Sequence, residues 1–161
     1  FVLSPVYLPA GEKLPNLDLF MLRAVLDTNI LLAAFWSPTG ASHQIFRELL
    51  AGKWIAVIEN HLVTEYDEVL KRHSGDLRMT FAEIDAALDG LCVIAERWKL
   101  SPGWIPILRD PDDEPILQLA VEAGVRYVVS RNVRDFDGAG RFSIEILQPA
   151  AFLKLVRQPR S

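Results

Sequence analysis

The chain has 161 residues, of which 50% are hydrophobic and 24% are charged, and its formal net charge is −4. This length and composition predict one globular domain and exclude a disordered chain, a coiled coil and a collagen-like fibre. The acidic balance argues against a protein held on nucleic acid by bulk charge alone, but not against an enzyme that meets phosphates through bound metal ions.

The sequence shows no sign of a membrane or secretory protein. No apolar run approaches the roughly 18–20 residues of a spanning helix, and residues 1–20 lack a basic start followed by a long apolar stretch. The single cysteine, Cys92, has no partner for an internal disulfide, which fits a reducing compartment, and we expect a cytoplasmic protein. We interpret residues 1–20 as an N-terminal extension or a start site placed too early, and residues 21–161 as the folded domain.

From Met21 onward, short apolar runs alternate with segments of helical periodicity. Strands are predicted at residues 23–26, 54–58, 126–129 and 143–147. Helices are predicted at residues 28–35, 42–50, 61–72, 80–98 and 114–123, with a short one from Pro149. Thr80 and Glu83 have the spacing of a capping box, and Gly75 is expected to break the chain between two helices. This alternation predicts a single α/β domain whose central parallel sheet carries helices on both faces.

Polar side chains occur where the predicted strands end. Asp27 directly follows the first strand, Glu65 lies one turn into the helix after the second strand, and an acidic cluster fills residues 110–114. Asn132 and Asp135 follow the strand that ends at residue 129. Because ligand sites of such sheets lie at the carboxyl ends of the strands, we expect these groups to converge on one edge. Hard oxygen ligands on separate segments suit Mg²⁺ or Mn²⁺, which can activate a water and neutralise charge on a phosphate.

Each acid also has a purely structural explanation. Asp27 stands where a helix N-cap is expected, and the 110–114 cluster lies at the positive end of a helix dipole. A helix that starts at residue 112 or 113 keeps Pro115 in its first turn, so one aspartate of the cluster is expected to be a cap. Glu65 alone fits a solvated helix residue, and Asp135 alone fits a turn. The metal hypothesis therefore depends on the joint pattern.

Four segments, in this order, resemble the motifs of the PIN-domain family. They are LDTNIL at residues 26–31, SPTG at 37–40, RDPDDE at 109–114 and VSRNVRDF at 129–136. The resemblance runs from about Met21 to Leu155 and points most closely to the toxin components of toxin–antitoxin pairs, the VapC-like branch. It implies a ribonuclease that depends on Mg²⁺ or Mn²⁺. It also implies a cognate antitoxin protein that blocks the site, and a homodimer.

Carried over by motif, the resemblance places three catalytic, metal-binding acids in this chain. They are Asp27, Glu65 and Asp113, with Thr28 and Asn29 as supporting polar groups. Together these acids are expected to hold one divalent ion, directly or through waters.

The family's usual fourth acid falls where this chain has Asn132. Asparagine is neutral, although its carbonyl can still orient a water, and Asp135 is near enough in sequence to substitute in part. One carboxylate fewer is expected to weaken a second metal more than the first, which leaves strict two-metal catalysis and full activity open. Arg131 and Arg134 flank this edge and are expected to contact phosphates of the RNA, although either one alone equally fits a solvated surface arginine.

Two other classes of function compete with the nuclease. The departure at Asn132 keeps open a catalytically silent PIN-like module that binds RNA or a protein partner. A phosphotransfer protein is disfavoured, because receiver domains require paired acids after the first strand and haloacid-dehalogenase-like phosphatases require Asp-x-Asp. This chain has Asp27, Thr28 and Asn29 at that place.

Overall fold

The computed structural model describes residues 21–159. The N-terminal extension predicted at residues 1–20 and the last two residues lie outside the described range. Every helix of residues 21–159 is too short or too polar to span a membrane. The described part of the chain forms a parallel sheet with helices packed on it.

The sheet has five parallel strands in the order β3-β2-β1-β4-β5. They are β1 Arg23–Leu26, β2 Ile55–Glu59, β3 Glu96–Trp98, β4 Tyr127–Val129 and β5 Glu145–Leu147. In the register, Ala24 of β1 lies beside Ala56 of β2 on one side and Tyr127 of β4 on the other. Strands β1 and β2 are short apolar runs buried on both faces, as expected where helices cover both sides of a sheet. The predicted α/β class is confirmed.

The described residues contain seven α-helices and three short 3₁₀ segments. The helices are α1 Thr28–Trp36, α2 Ala41–Leu50, α3 Asn60–Arg72, α4 Ser74–Leu77, α5 Phe81–Ile94, α6 Glu114–Glu122 and α7 Pro149–Arg157. The 3₁₀ segments are Pro111–Asp113, Val133–Phe136 and Ala139–Phe142. Most helices lie where the periodicity predicts them, with ends shifted by a residue.

Local signals set several helix ends. Thr80 Oγ1 accepts a hydrogen bond of 3.1 Å from the Glu83 amide, and the Thr80 amide donates one of 3.3 Å to Glu83 Oε1, which confirms the capping box. After α2 the chain turns through Gly52 at φ +75°, a left-handed conformation that glycine adopts without strain. The predicted break between two helices is present, since α3 ends at Arg72 and α5 begins at Phe81, but Gly75 itself lies inside the short helix α4.

The helix predicted over residues 80–98 is wrong at its C-terminal end. Helix α5 ends at Ile94, and the chain continues as the edge strand β3, which pairs with β2. Glu96 of β3 is buried and accepts two hydrogen bonds from Arg23 of β1, at 2.7 and 2.8 Å. These partners are 73 residues apart, so no local periodicity reveals the pairing that makes this segment a strand.

Tyr66 fastens helix α3 beneath the carboxyl end of β1. Its side chain is buried, and its hydroxyl donates a hydrogen bond of 2.6 Å to the carbonyl of Leu26, the last residue of that strand. Glu65 precedes Tyr66, and Asp27 follows Leu26. The bond therefore holds two of the predicted site residues at the same edge of the sheet.

Candidate metal centre

The strand order reverses between β1 and β4, a place that we call the switch point. The candidate site lies at the carboxyl ends of these two strands. From β1 the chain continues to β2 and β3 on one side, whereas β4 leads to β5 on the other. Diverging connections of this kind leave a crevice in which doubly wound proteins bind ligands. Asp27 follows β1 and Ser130 follows β4, and Ser130 Oγ donates a hydrogen bond of 2.7 Å to Asp27 Oδ2.

Asp27 is the most enclosed of the candidate acids, with 7% of its surface exposed. It occupies the N-cap position of α1, yet its side chain makes no capping hydrogen bond and turns to Ser130 instead. Burial raises the pKa of the Asp27 carboxyl. The hydrogen bond from Ser130 and the nearby amides of Thr28 and Asn29 oppose that rise in the pKa, whereas the charge of Asp135 adds to it. Capping alone does not explain an aspartate held in this way.

Glu65 is linked to the Asp27 segment through Thr28, the residue after Asp27. The Thr28 hydroxyl donates a hydrogen bond of 2.8 Å to Glu65 Oε2, which joins α1 to α3. Partial burial raises the pKa of Glu65, the bond from Thr28 lowers it, and the charges of Asp27 and Asp112 raise it again. Glu65 therefore lies with Asp27 at the carboxyl end of the sheet. We call the group formed by Asp27, Glu65 and Asp113 the acidic edge. Asn29, by contrast, is exposed, and its side chain makes no hydrogen bond within residues 21–159.

The acidic cluster before α6 divides into residues with different tasks. Asp110 is the predicted cap, because its Oδ1 accepts a hydrogen bond of 2.9 Å from the Asp112 amide. Asp113 stands at the N-cap position of α6, and its side chain makes no capping hydrogen bond. Burial raises the pKa of Asp113 from 3.8 to about 7, helped by the charges of Asp27, Asp110, Asp135 and Glu65.

Glu114, the last acid of the cluster, does not belong to the site. It is 6% exposed and accepts hydrogen bonds from Trp104 Nε1 at 2.9 Å and from the Ile107 amide at 2.6 Å. The Leu108 amide donates a third bond to it. Glu114 therefore anchors the segment that leads into the acidic cluster. The sequence does not indicate this role, because Glu114 stands among chemically similar acids.

Asn132 and Asp135 lie on the segment that leaves β4. The Asn132 amide donates a hydrogen bond of 3.1 Å to Ser130 Oγ, and the Asp135 amide donates one of 3.0 Å to the Asn132 carbonyl. Phe136 is buried and holds this 3₁₀ turn against the core. The charge of Asp135 raises the pKa of both Asp27 and Asp113, so Asp135 lies near these two acids.

Arg131 and Arg134 flank the same segment and are both exposed. Neither forms a salt bridge with another residue of the described chain. Their position beside the acids agrees with the expected contact to a phosphate and does not by itself distinguish it from a solvated surface.

The donor chemistry of this edge fits a divalent cation. Asp27, Glu65 and Asp113 have no cationic partner within residues 21–159, so their negative charges are uncompensated. In the same range, no group of three or more His, Cys, Asp or Glu side chains lies close enough together to hold a metal ion. Mg²⁺ keeps several waters when carboxylates bind it. These residues would therefore hold such an ion partly through waters.

Ser130 is the site residue that the sequence prediction missed. It is fully buried and links Asp27 to Asn132 through one hydroxyl. Its signal in the sequence is position alone, since it is the first residue after the strand at the switch point.

The geometry at the switch point agrees with a comparison of the sequence. Residues 23–134 match the family model of the PIN domain. A search of curated proteins finds no match to the chain. PIN domains are typically nucleases and usually use divalent metal ions. The match covers most of the chain and includes both strands at the switch point, and the chain therefore belongs to the PIN-domain family.

Proposed function

We propose that the chain is a divalent-metal-dependent ribonuclease that hydrolyses phosphodiester bonds of RNA. Asp27, Glu65 and Asp113 would hold Mg²⁺ or Mn²⁺, directly or through waters. One observation carries the proposal: acids from three separate segments gather at the switch point without a cation to balance them. The charges of Asp27 and Glu65 raise the pKa of Asp113, and the charge of Asp27 raises that of Glu65. A bound divalent ion would supply an activated water and neutralise charge on the phosphate.

The neighbouring hydroxyls prepare two of the acids for this task. Ser130 Oγ donates to Asp27 and thereby favours its ionised form and fixes its orientation. Thr28 Oγ1 does the same for Glu65. Such hydrogen bonds to ligating carboxylates commonly change metal affinity by about 10- to 100-fold.

The exposed groups of the site would contact the RNA strand. Asn132 and Asp135 would position the attacking water or a second, weaker ion. Arg131 and Arg134 would bind phosphates adjacent to the scissile one, since arginine presents several donors to a single phosphate.

We further propose that this ribonuclease is the toxin of a toxin–antitoxin pair and acts as a homodimer in the cytoplasm. The order of the four motifs supports this assignment. The cognate antitoxin would cover the acidic edge. Expression of the chain in a bacterial host should arrest growth, whereas expression of Asp27→Asn should not. Sedimentation of the purified chain tests the dimer.

A second candidate is a catalytically silent PIN-like module that binds RNA or a protein. Two observations favour it: Asn132 stands at the place of the fourth acid, and the described residues contain no preformed group of three metal-binding side chains. Such a module would bind a divalent ion or RNA without cutting the strand.

The proposal is tested with the purified full chain and two RNAs, one single-stranded and one structured. Each is incubated with Mn²⁺, Mg²⁺ or EDTA. We expect cleavage that needs the metal and that Asp27→Asn abolishes. The matched control is Asp89→Asn, which removes an exposed carboxylate of α5. Unchanged cleavage by Asp27→Asn would refute the proposal. Thermal stabilisation by Mn²⁺ without cleavage would favour the silent module.

A further inference from the structure

Two loops beside the acidic edge pack against each other and form one surface. The first covers residues 99–110 and the second residues 131–143; we call them the paired loops. The rings of Trp104 and Phe142 lie 5.8 Å apart between centroids. At Gly138, a Cβ atom would lie 3.6 Å from Ile107 Cδ1, so the Ile107 side chain packs beside the Gly138 backbone. The paired loops are therefore a continuous platform.

Buried groups hold both of the paired loops in place. Glu114 accepts hydrogen bonds from Trp104 Nε1 and from the amide of Ile107 in the first loop. Phe136 and Ala139 of the second loop are buried in the core. Because both loops are held by buried groups, the side chains on their outer surface start from a defined arrangement. A preorganised surface binds with a smaller loss of conformational entropy.

The paired loops carry more basic than acidic side chains, since five exposed basic residues stand against three exposed acids, Asp110, Asp135 and Asp137. Four arginines are exposed there and form no salt bridge or side-chain hydrogen bond within residues 21–159: Arg109, Arg131, Arg134 and Arg141. Arg109 immediately precedes the acidic cluster, and Arg131 and Arg134 flank Asn132 and Asp135. Free guanidinium groups next to the acids suit phosphates.

The opposite side of the site, along α3, carries more acidic than basic side chains. A groove of about 420 Å³ runs along α3 and contains three acids, Glu65, Glu68 and Asp112. Its basic side chains are His61 and Arg72. This excess of negative charge repels phosphates along α3. The charge distribution thus gives the site two unlike sides.

The paired loops also expose apolar side chains among their arginines. Ile105 is 78% exposed, Val133 41% and Phe142 37%. Base faces of an unpaired strand can lie on such side chains, whereas a duplex buries them in its own stack. The mixture of arginines with apolar and aromatic groups therefore favours a single strand.

We propose that the paired loops bind a single-stranded stretch of RNA, which leaves the acidic edge across Arg109, Arg131, Arg134 and Arg141 and not along the α3 groove. The inference rests on the proposed function, because a ribonuclease must hold the strand on one side of its scissile phosphate. It adds the path that the strand takes over the paired loops.

The test measures binding separately from cleavage. Every protein compared carries Asp113→Asn, which keeps the RNA intact, and gels of the same samples check that it stays so. Fluorescence anisotropy of a short labelled RNA gives the affinity at several salt concentrations in Mg²⁺. Arg109→Gln and Arg141→Gln are compared with Arg72→Gln from the α3 groove and with Arg47→Gln, an exposed arginine of α2.

Each loop variant should weaken binding and lower the salt dependence of the affinity by about 0.7 in the log–log slope, the value for one phosphate contact on a single strand. Arg72→Gln and Arg47→Gln should leave the slope unchanged, and a matching RNA duplex should bind more weakly than the single strand. A slope that falls with Arg72→Gln alone, or one that no loop variant changes, would overturn the inference and leave the loops as a protein-binding surface.

The outcome differs from a failure of the proposed function. If the wild-type chain never cleaves RNA, yet the loop variants reduce the slope, the strand path stands and the ribonuclease activity is refuted. If the wild type cleaves and the loop variants bind normally, the activity stands and the strand path is wrong.

Discussion

Asp113→Asn should stabilise the metal-free protein at neutral pH. Burial and the charges of neighbouring acids raise the pKa of Asp113 from 3.8 to about 7. A raised pKa in the folded state means that folding favours the protonated carboxyl. The stability contributed by this group is complete below pH 3.8 and is lost as the pH rises through about 7. Asparagine has nearly the same shape and stays neutral, so the variant avoids this loss.

The size of the effect follows from the same pKa. A rise from 3.8 to about 7 corresponds to about 4 kcal/mol as an upper bound. Asp113 is partly exposed, and solvent screening reduces the expected gain in the free energy of unfolding to about 1–2 kcal/mol. The raised pKa values of Asp27 and Glu65 act in the same direction, so the wild type should lose stability over this pH range.

Urea unfolding in EDTA measures this gain. Asp113→Asn should exceed the wild type at about pH 8, and the difference should shrink to a few tenths of a kcal/mol at about pH 4. Asp89→Asn, the exposed control on α5, should match the wild type at both pH values. Adding Mn²⁺ should stabilise the wild type more than Asp113→Asn, because only the wild type has the full set of ligands. A variant that is no more stable at about pH 8, or equally shifted at both pH values, would refute the electrostatic account.

Three further substitutions test separate parts of the structure. Ser130→Ala removes the hydrogen bond to Asp27 and should weaken Mn²⁺ binding about tenfold while the fold persists; a Mn²⁺ titration followed by electron paramagnetic resonance measures this, and unchanged affinity would contradict the positioning role. Glu114→Ala leaves the donors of Trp104, Ile107 and Leu108 without their acceptor. Because buried donors lose their partner, the variant should lower the free energy of unfolding by roughly 3 kcal/mol. A loss below about 1 kcal/mol in urea unfolding would mean that water replaces the carboxylate. Thr80→Ala removes the capping box of α5 and should cost about 1 kcal/mol by the same assay, with no change in Mn²⁺ affinity; a changed affinity would show that α5 influences the site.

Much of the fold was predictable because its signals are local. Strand β1 is an apolar run, α2 and α3 have apolar faces at helical spacing, and the capping box marks the start of α5. Strand β3 was not predictable, since Glu96–Trp98 is a strand only through its pairing with β2 and the ion pair of Glu96 with Arg23. A contact over 73 residues leaves no trace in the local pattern.

The site divides in the same way. The chain alone indicated that acids at strand ends would meet, because the parallel topology brings the carboxyl ends of strands to one edge. The identity of the residues within each cluster was decided by the tertiary structure. Asp110, Asp113 and Glu114 are chemically alike and lie within five positions, yet one caps a turn, one belongs to the acidic edge and one anchors a loop.

The sequence by itself determined the α/β class and the edge at which polar groups gather, since apolar periodicity and residue type decide these properties locally, and the resemblance to the family named Asp27, Glu65 and Asp113 as candidates. Only the tertiary structure decided that Ser130 holds Asp27, that Asp135 lies near the acids and that the two arginine-bearing loops pack against each other. These relations depend on the directions of side chains and on burial, which arise only when distant segments pack together.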